Sequence, residues 1–246
     1  MKETEDSFSI SYLSSRADWT NGFIPDFFRP LSWDRLRAST AACADIVQAV
    51  KDFTELRTSG LQGGSVVLFG KAGMGKSLLS AVAFKHLAPF VPDRQREASF
   101  KDAGTLDNVA WHKGEELAAI WKGDEDESLP VGYNRMRHME TARLLVLDDL
   151  DKAVSGPTWN PHMFRLIDER LQHPERITFI TMNRNPRTFS GRFDTEDADA
   201  VLNRIQRASI IVHLQDEIDI IPGSSSILSP DPNTTDDADP ALDALR

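Results

Sequence analysis

Residues 70–77, GKAGMGKS, constrain this chain more than any other stretch of its sequence. They follow the β-branched run SVVLF at 65–69 and precede SLLSAVAFKHL at 77–87, so a glycine-rich turn joins a buried strand to a helix. Glycines at 70, 73 and 75 open backbone conformations closed to other residues. They let backbone N–H groups wrap an anion at the helix N-terminus, where the helix dipole also favours negative charge. G-x-x-x-x-G-K-[ST] in this setting is a phosphate-binding loop, with Gly70, Lys71, Ala72, Gly73, Met74, Gly75, Lys76, Ser77 and Leu78 as candidate nucleotide-binding residues. Lys76 is placed to reach the β- and γ-phosphates, and the Ser77 hydroxyl to ligate Mg²⁺. ATP and Mg²⁺ are the implied cofactors. An ordinary glycine-rich β–α turn is the bland alternative, and the flanking strand and helix weigh against it.

Four further short apolar runs stand out at 108–112 (NVAWH), 144–147 (LLVL), 177–181 (ITFIT) and 209–214 (SIIVHL). Amphipathic stretches at 38–56, 77–87, 113–121, 160–172 and 197–207 alternate with the strands. Alternation of this kind predicts an α/β domain with a parallel sheet. Pro157 and Pro161 sit near the start of the fourth helix, where a missing N–H costs least. Residues 123–132 (GDEDESLPVG) read as an exposed loop. We expect a flexible arm at 1–22, an ATPase domain at 23–221 and an acidic disordered tail at 222–246, whose Ser, Pro and Asp cannot repay the entropy of ordering.

A P-loop alone does not imply hydrolysis, because kinases and inert binders share it. The run LLVLDD at 144–149 narrows the choice: a buried strand ending in two acids delivers carboxylates to the magnesium. Asp148 would hold the ion through water, and Asp149 would take a proton from the attacking water. A strand followed by an acidic turn is the structural alternative. The run ITFITMN ends in Asn183, whose amide can orient a water beside the γ-phosphate, or simply form a turn before Arg184, Asn185 and Pro186.

These three elements, in this order, resemble the AAA+ family, with the P-loop on the first strand, the paired acids on the third and a polar sensor on the fourth. Within that family the sequence more closely resembles helicase loaders of the DnaC type and the related IstB transposition ATPases. The resemblance is carried by IPDFFRPLSW (24–33), LFGKAGMGKSLLSAVAFKHL (68–87), LLVLDDL (144–150), ITFITMNRNP (177–186) and VLNRIQRASIIVHL (201–214). It implies a P-loop NTPase fold of AAA+ type, a three-layer sandwich on a central five-stranded parallel sheet, with little or no C-terminal lid. It also implies a homo-oligomer with ATP between subunits, in which a neighbour's arginine stabilises charge on the γ-phosphate. Arg204 matches that arginine, with Arg207 and Arg192 as nearby alternatives; pairing with Asp197 or Asp199 on a solvated helix face is the competing role. The implied partner is a replicative DNA helicase, or a transposase in the alternative. The segment 24–33 would lie over the adenine or anchor the arm hydrophobically.

Relatives of this kind often place a sensing arginine after the last strand, yet QDEIDIIPGSS at 215–225 offers no base before Arg246. Slow or partner-stimulated turnover is therefore expected, and a nucleotide-stabilised scaffold that hydrolyses little remains an alternative. A small-molecule kinase is disfavoured by the DD-ended and Asn-ended strands and by the lack of an arginine-rich lid. Lys113, Lys122, Arg135, Arg137 and His138 accompany Trp121 and Tyr133, a combination that can track phosphates and stack bases in a weak, ATP-dependent grip on single-stranded DNA. Asp124, Glu125, Asp126 and Glu127 interrupt it and favour a solvated surface with core aromatics.

Taken whole, the net charge of −10 argues against nucleic acid, but it is uneven. Eight acids and one base lie at 215–246, leaving 30 acids and 27 bases over the preceding 214 residues, so the body is close to neutral. Cys43 is the single cysteine and reads as a small core side chain, which excludes an intrachain disulfide framework. His162, His173 and His213 have no ligand-like spacing, and Trp159 and Phe164 read as packing for the helix they flank. No apolar run approaches membrane-spanning length and the acidic start MKETEDS is unlike a signal peptide, so a cytoplasmic location is expected.

Overall fold

The computed structural model describes residues 24–58, 63–91, 108–124, 135–173, 175–193 and 195–220. Its strands are β1 (Leu36–Ala38), β2 (Gly64–Phe69), β3 (Val109–Lys113), β4 (Leu144–Asp148), β5 (Ile177–Met182), β6 (Ser209–His213) and β7 (Ile218–Ile220). The α-helices are α1 (Ala41–Thr58), α2 (Lys76–Leu87), α3 (Leu117–Asp124), α4 (Arg135–Thr141), α5 (Asn160–Gln172), α6 (Pro186–Ser190) and α7 (Thr195–Ala208). The five apolar runs of the sequence are strands β2 to β6, each within a residue of the expected limits. They form one parallel sheet in the order β3-β4-β5-β2-β6.

That order dictates the layers. From β2 the chain jumps to the far edge at β3, then steps back through β4 and β5 and passes β2 to reach β6. Parallel crossovers are right-handed, so reversing the direction of travel must also reverse the face that carries the connecting helix. The packing agrees. Val66 and Leu68 of β2 join Leu79, Phe84 and Leu87 of α2 and Val50 and Phe53 of α1 on one face. Val67 between them points to the other face, with Leu117 of α3, Met139 of α4, Leu166 of α5, Phe189 of α6 and Ile205 of α7. This is the expected three-layer sandwich, and the reversal places the turn after β2 at the switch point where α/β sheets bind ligands.

A buried cation braces the second face. Arg170 of α5 donates to the carbonyls of Met139, Glu140 and Ala142 at the end of α4, to Ile177 O (2.8 Å) and to the Thr178 hydroxyl. Burial pulls its guanidinium down to about 9, with Arg176 acting in the same direction. Free helix-terminal carbonyls are natural partners for a cation, so Arg170 welds α4 to the start of β5.

Several expectations need correction. Helix α1 starts at Ala41 rather than 38, because Leu36–Ala38 pairs antiparallel with Ile218–Ile220 in a two-stranded ribbon that the sequence reading did not anticipate. The Thr40 hydroxyl donates to Asp216 (2.8 Å), and the Cys43 thiol faces the carbonyls of Asp216 and Glu217, so Cys43 is a core side chain under this ribbon. Asp216, Glu217 and Asp219, three of the eight acids counted at 215–246, thus lie in or beside this ribbon. Helices α4 and α6 were also missed, and α3 runs to Asp124, past the expected start of the loop at 123. Trp121 is buried, stacked on Trp159 at 5.6 Å, and is closed to bases. The arm at 1–22, the tail at 222–246, most of the 123–132 loop and Tyr133 lie outside the described residues. No helix among the described residues is long and apolar enough to cross a membrane.

His112 near the end of β3 is pushed down to about 4, first by burial and then by His138 and Arg135. It is neutral in the fold, whereas the unfolded chain protonates it near 6.5. As pH falls from about 6.5 toward 4 the unfolded state binds the proton first, so stability drops across that window by up to about 3 kcal/mol. His112→Gln is expected to remove this part of the acid slope in urea midpoints taken from pH 7 to 4. An unchanged slope would mean that His112 is protonated in the fold.

Candidate functional site

The C-terminal ends of β2, β4 and β5 bring the predicted side chains together. In the turn after β2, Gly73 and Gly75 have φ of 85° and 83°, in the left-handed region that glycine accepts without strain. Gly75 is also hemmed in: a Cβ there would sit 2.5 Å from Ile218 O and 2.7 Å from Ile218 Cβ. The loop is therefore backed by β7, with Ile218 N donating to Met74 O at 3.3 Å. Lys71, Ala72 and Gly73 are exposed at its tip, while Ser77 and Leu78 open α2 half-buried.

Lys76 is 4% exposed, and its ammonium donates to Gly70 O (2.9 Å), Lys71 O (2.7 Å) and Asn183 Oδ1 (3.1 Å). Burial is the largest influence and draws it below the usual lysine range, while Asp149, Asp151 and Asp148 pull it back up. Asp148, 5% exposed, accepts from Ser77 Oγ and from Thr181 Oγ1, both at 2.6 Å on Oδ1. A serine hydroxyl and a carboxylate in contact at the start of a helix are oxygen donors suited to Mg²⁺. The residues present therefore fit the ion inferred from the sequence.

Asp149 is the one non-glycine residue with positive φ among those described (φ 51°, ψ 45°), a conformation Asp tolerates better than most. Its N–H donates to Thr181 Oγ1 (2.8 Å), so one threonine hydroxyl holds both acids. Its carboxylate pairs with Lys152 at 2.6 Å and receives Asn183 Nδ2 at 3.4 Å. Asn183 is no mere turn residue: its amide lies between Lys76 and Asp149, and its N–H donates to Asp151 (3.0 Å). Thr181, Lys152 and Gly114 were not anticipated. The signal for Thr181 was a hydroxyl near the C-terminal end of the buried run ITFITM; for Gly114, a glycine directly after a strand.

The arginine candidates behave differently. Arg204 lies over the Phe164 ring (5.5 Å) and pairs with Asp168, not with Asp197 or Asp199. Arg207 is exposed, with no ion pair or hydrogen bond among the described residues. Arg192 donates to Asp151 O (2.9 Å) and Ala153 O and works as a strut for the turn after β4. Of the segment 24–33, Ile24 and Leu31 are buried in the core. Pro25, Phe27 and Phe28 line a pocket with Lys113, Glu115, Asp148, Asp149 and Lys152. Anchoring accounts for the buried residues, and the aromatic pair shares its pocket with Asp148 and Asp149.

No protein-family model matches the chain, and no curated protein matches it. Solved structures do. A DnaC helicase loader is 15% identical with a TM-score of 0.57, over 78% of this chain and 100% of that one. DnaI is 17% identical with a TM-score of 0.55, over 78% and 92%. Domain III of the Thermotoga maritima replication initiation protein DnaA is 15% identical with a TM-score of 0.55, over 79% and 69%. The likeness is one of fold, and the fold is that of an AAA+ P-loop NTPase.

Gly114 supplies a test of how tightly the acids are placed. A Cβ there would collide with Asp149 O and lie 3.0 Å from Leu150 Cα, both backbone atoms that cannot swing aside. Gly114→Ala is expected to lower the urea-unfolding free energy by about 1–3 kcal/mol. A loss below about 0.5 kcal/mol would show that the turn has slack.

Proposed function

We propose that this chain is an ATP-hydrolysing AAA+ switch that acts on a replicative DNA helicase. The observation that carries the ATPase reading is the junction of Lys76, Asn183 and Asp149, which links the phosphate loop to a carboxylate through one amide. The backbone of 70–77 would cradle the phosphates, and Lys76 would exchange its two carbonyl partners for phosphate oxygens. Ser77, and Asp148 through water, would hold Mg²⁺, which supplies charge neutralisation at the phosphates. Asp149 would accept the proton of the attacking water, and the Asn183 amide would orient that water.

The helicase as client is supported by the fold shared with a helicase loader and by the motifs LLVLDDL and TMNRNP. A transposase is the competing client. Assembly into a homo-oligomer, with ATP between subunits and Arg204 donated by a neighbour, belongs to the same reading. Asp168 holds Arg204 within its own subunit, so donation would require exchanging that carboxylate for phosphate. Arg207, exposed one turn further, is the structural alternative.

Lys76→Ala is expected to lose ATP binding, whereas Asp149→Asn should bind ATP and lose at least about 100-fold in turnover. Retained hydrolysis in Asp149→Asn would remove Asp149 from the base role. Arg204→Ala should bind ATP but hydrolyse it poorly, and mixing with Lys76→Ala subunits should restore turnover. Loss and rescue with Arg207→Ala instead would move the role to Arg207. Affinity capture with Asp149→Asn in ATP should retain a hexameric helicase; retention of a transposase would overturn the helicase assignment.

A further inference from the structure

We propose that β6 is an interface between two copies of this chain, which pair antiparallel across a two-fold axis at Ile211. The contact lies on the outer edge of the sheet rather than at the strand ends that carry the nucleotide site, and it does not rest on the ATPase reading. The two edges of the sheet, β3 and β6, are finished differently. At β3, Val109, Ala110 and Trp111 are buried. At β6, the neighbouring Ile210 and Ile211 are 52% and 37% exposed. Exposed edges are normally blunted by lysine, proline or a bulge. The strand SIIVH has no lysine, acid or proline, and its register with β2 is unbroken.

The backbone of β6 is set for a second strand. Leu214 N donates to Phe69 O at 2.8 Å, and the N–H and C=O of one strand residue point to the same side. Alternation therefore turns the backbone of Ile210 and Val212 toward β2 and that of Ser209, Ile211 and His213 outward, where no described strand pairs with it. An antiparallel copy centred on Ile211 puts Ile211 opposite the partner's Ile211 and Ser209 opposite the partner's His213. Every outward residue then meets another outward one, the pairing in which both N–H groups find a carbonyl. On the other face Ile210 falls opposite the partner's Val212, so the exposed isoleucines pack in cross-strand pairs.

Charge selects the antiparallel direction. Arg207, just before β6, is exposed and without an ion pair among the described residues, whereas Asp216 and the exposed Glu217 follow the end of the strand. Antiparallel pairing brings Arg207 beside the partner's Glu217, and the two-fold makes this contact twice. Parallel pairing would set base against base and acid against acid. The strand itself carries no acid, so a chain of net charge −10 meets its own copy there without local repulsion. An isologous contact of this kind closes on itself, so assembly through this edge stops at two copies.

The full-length chain without nucleotide tests this, so the outcome does not depend on whether ATP is bound or hydrolysed. Sedimentation velocity should show a dimer that dissociates on dilution. Ile211→Lys sets two ammonium groups opposite each other at the axis and should weaken association at least about tenfold. Arg207→Glu should weaken it roughly threefold to tenfold, and adding Glu217→Arg to the same chain should restore it. Residues paired at the axis have Cα atoms about 5.5 Å apart, within disulfide reach, so Ile211→Cys should oxidise to a covalent dimer. Ile210→Cys, diagonal to its own copy, should not, and the wild type with only the buried Cys43 is the control. A wild type that stays monomeric at every concentration overturns the proposal, as does a dimer that Ile211→Lys leaves intact. An Arg207→Glu chain that associates as the wild type does refutes the antiparallel direction. Failure of Ile211→Cys to link, or equal linking by Ile210→Cys, overturns the pairing at Ile211; if Ile211→Lys does not fold, the cysteine variants decide alone.

Discussion

Strand β5 is hydrogen-bonded between β2 and β4, with Leu68 beside Thr181 and Phe69 beside Met182 on one side and Leu147 beside Ile180 on the other. This register brings three chain segments, far apart in sequence, to a common end of the sheet. Thr181 then spans the gap to β4, accepting from the Asp149 N–H and donating to Asp148, which in turn holds Ser77 of α2. Thr178 and Thr181 are fully buried on opposite faces of an otherwise apolar strand. Each hydroxyl has a charged partner: Thr178 receives Arg170 and Thr181 gives to Asp148. A buried hydroxyl without such a partner would cost about 1–3 kcal/mol, so both threonines mark places where the core must hold a charge.

The phosphate loop depends on a second support. Left-handed glycines permit its shape, but β7 fixes where it lies, because Ile218 leaves no room for a side chain at Gly75. The chain before α1 and the chain after β6 meet in the β1–β7 ribbon, so the strand that backs the loop is itself held by the segment leading into α1. The acids Asp216, Glu217 and Asp219 belong to this ribbon or its approach, so the run of acids at 215–246 begins within the described fold.

What was legible in the sequence followed from local signals. Strands β2 to β6 are continuous apolar runs because parallel strands are buried on both faces, and that signal survives without knowledge of their neighbours. The ribbon was not legible, since β1 and β7 are three residues each and their pairing spans most of the chain. Helix α4 was obscured by its charges: RMRHMET reads as a basic patch until Met136 and Met139 are seen facing the core. For the same reason Trp121 looked available to stack a base when it is part of the packing.

By itself, then, the sequence determined the chemistry on offer: a glycine-rich strand-to-helix turn with Lys76 and Ser77, two acids ending one buried strand, and an amide ending another. These are matters of residue type and spacing along the chain, and backbone preference alone makes them readable. The tertiary structure decided which groups meet. Asn183 became the bridge from Lys76 to Asp149, Lys152 became the partner of Asp149, and Arg204 was drawn to Asp168 rather than to the nearer acids on its own helix. Pairings of this kind depend on strand register and helix rotation, which are set by how the two apolar faces of the sheet fill, and no local stretch of sequence carries that information.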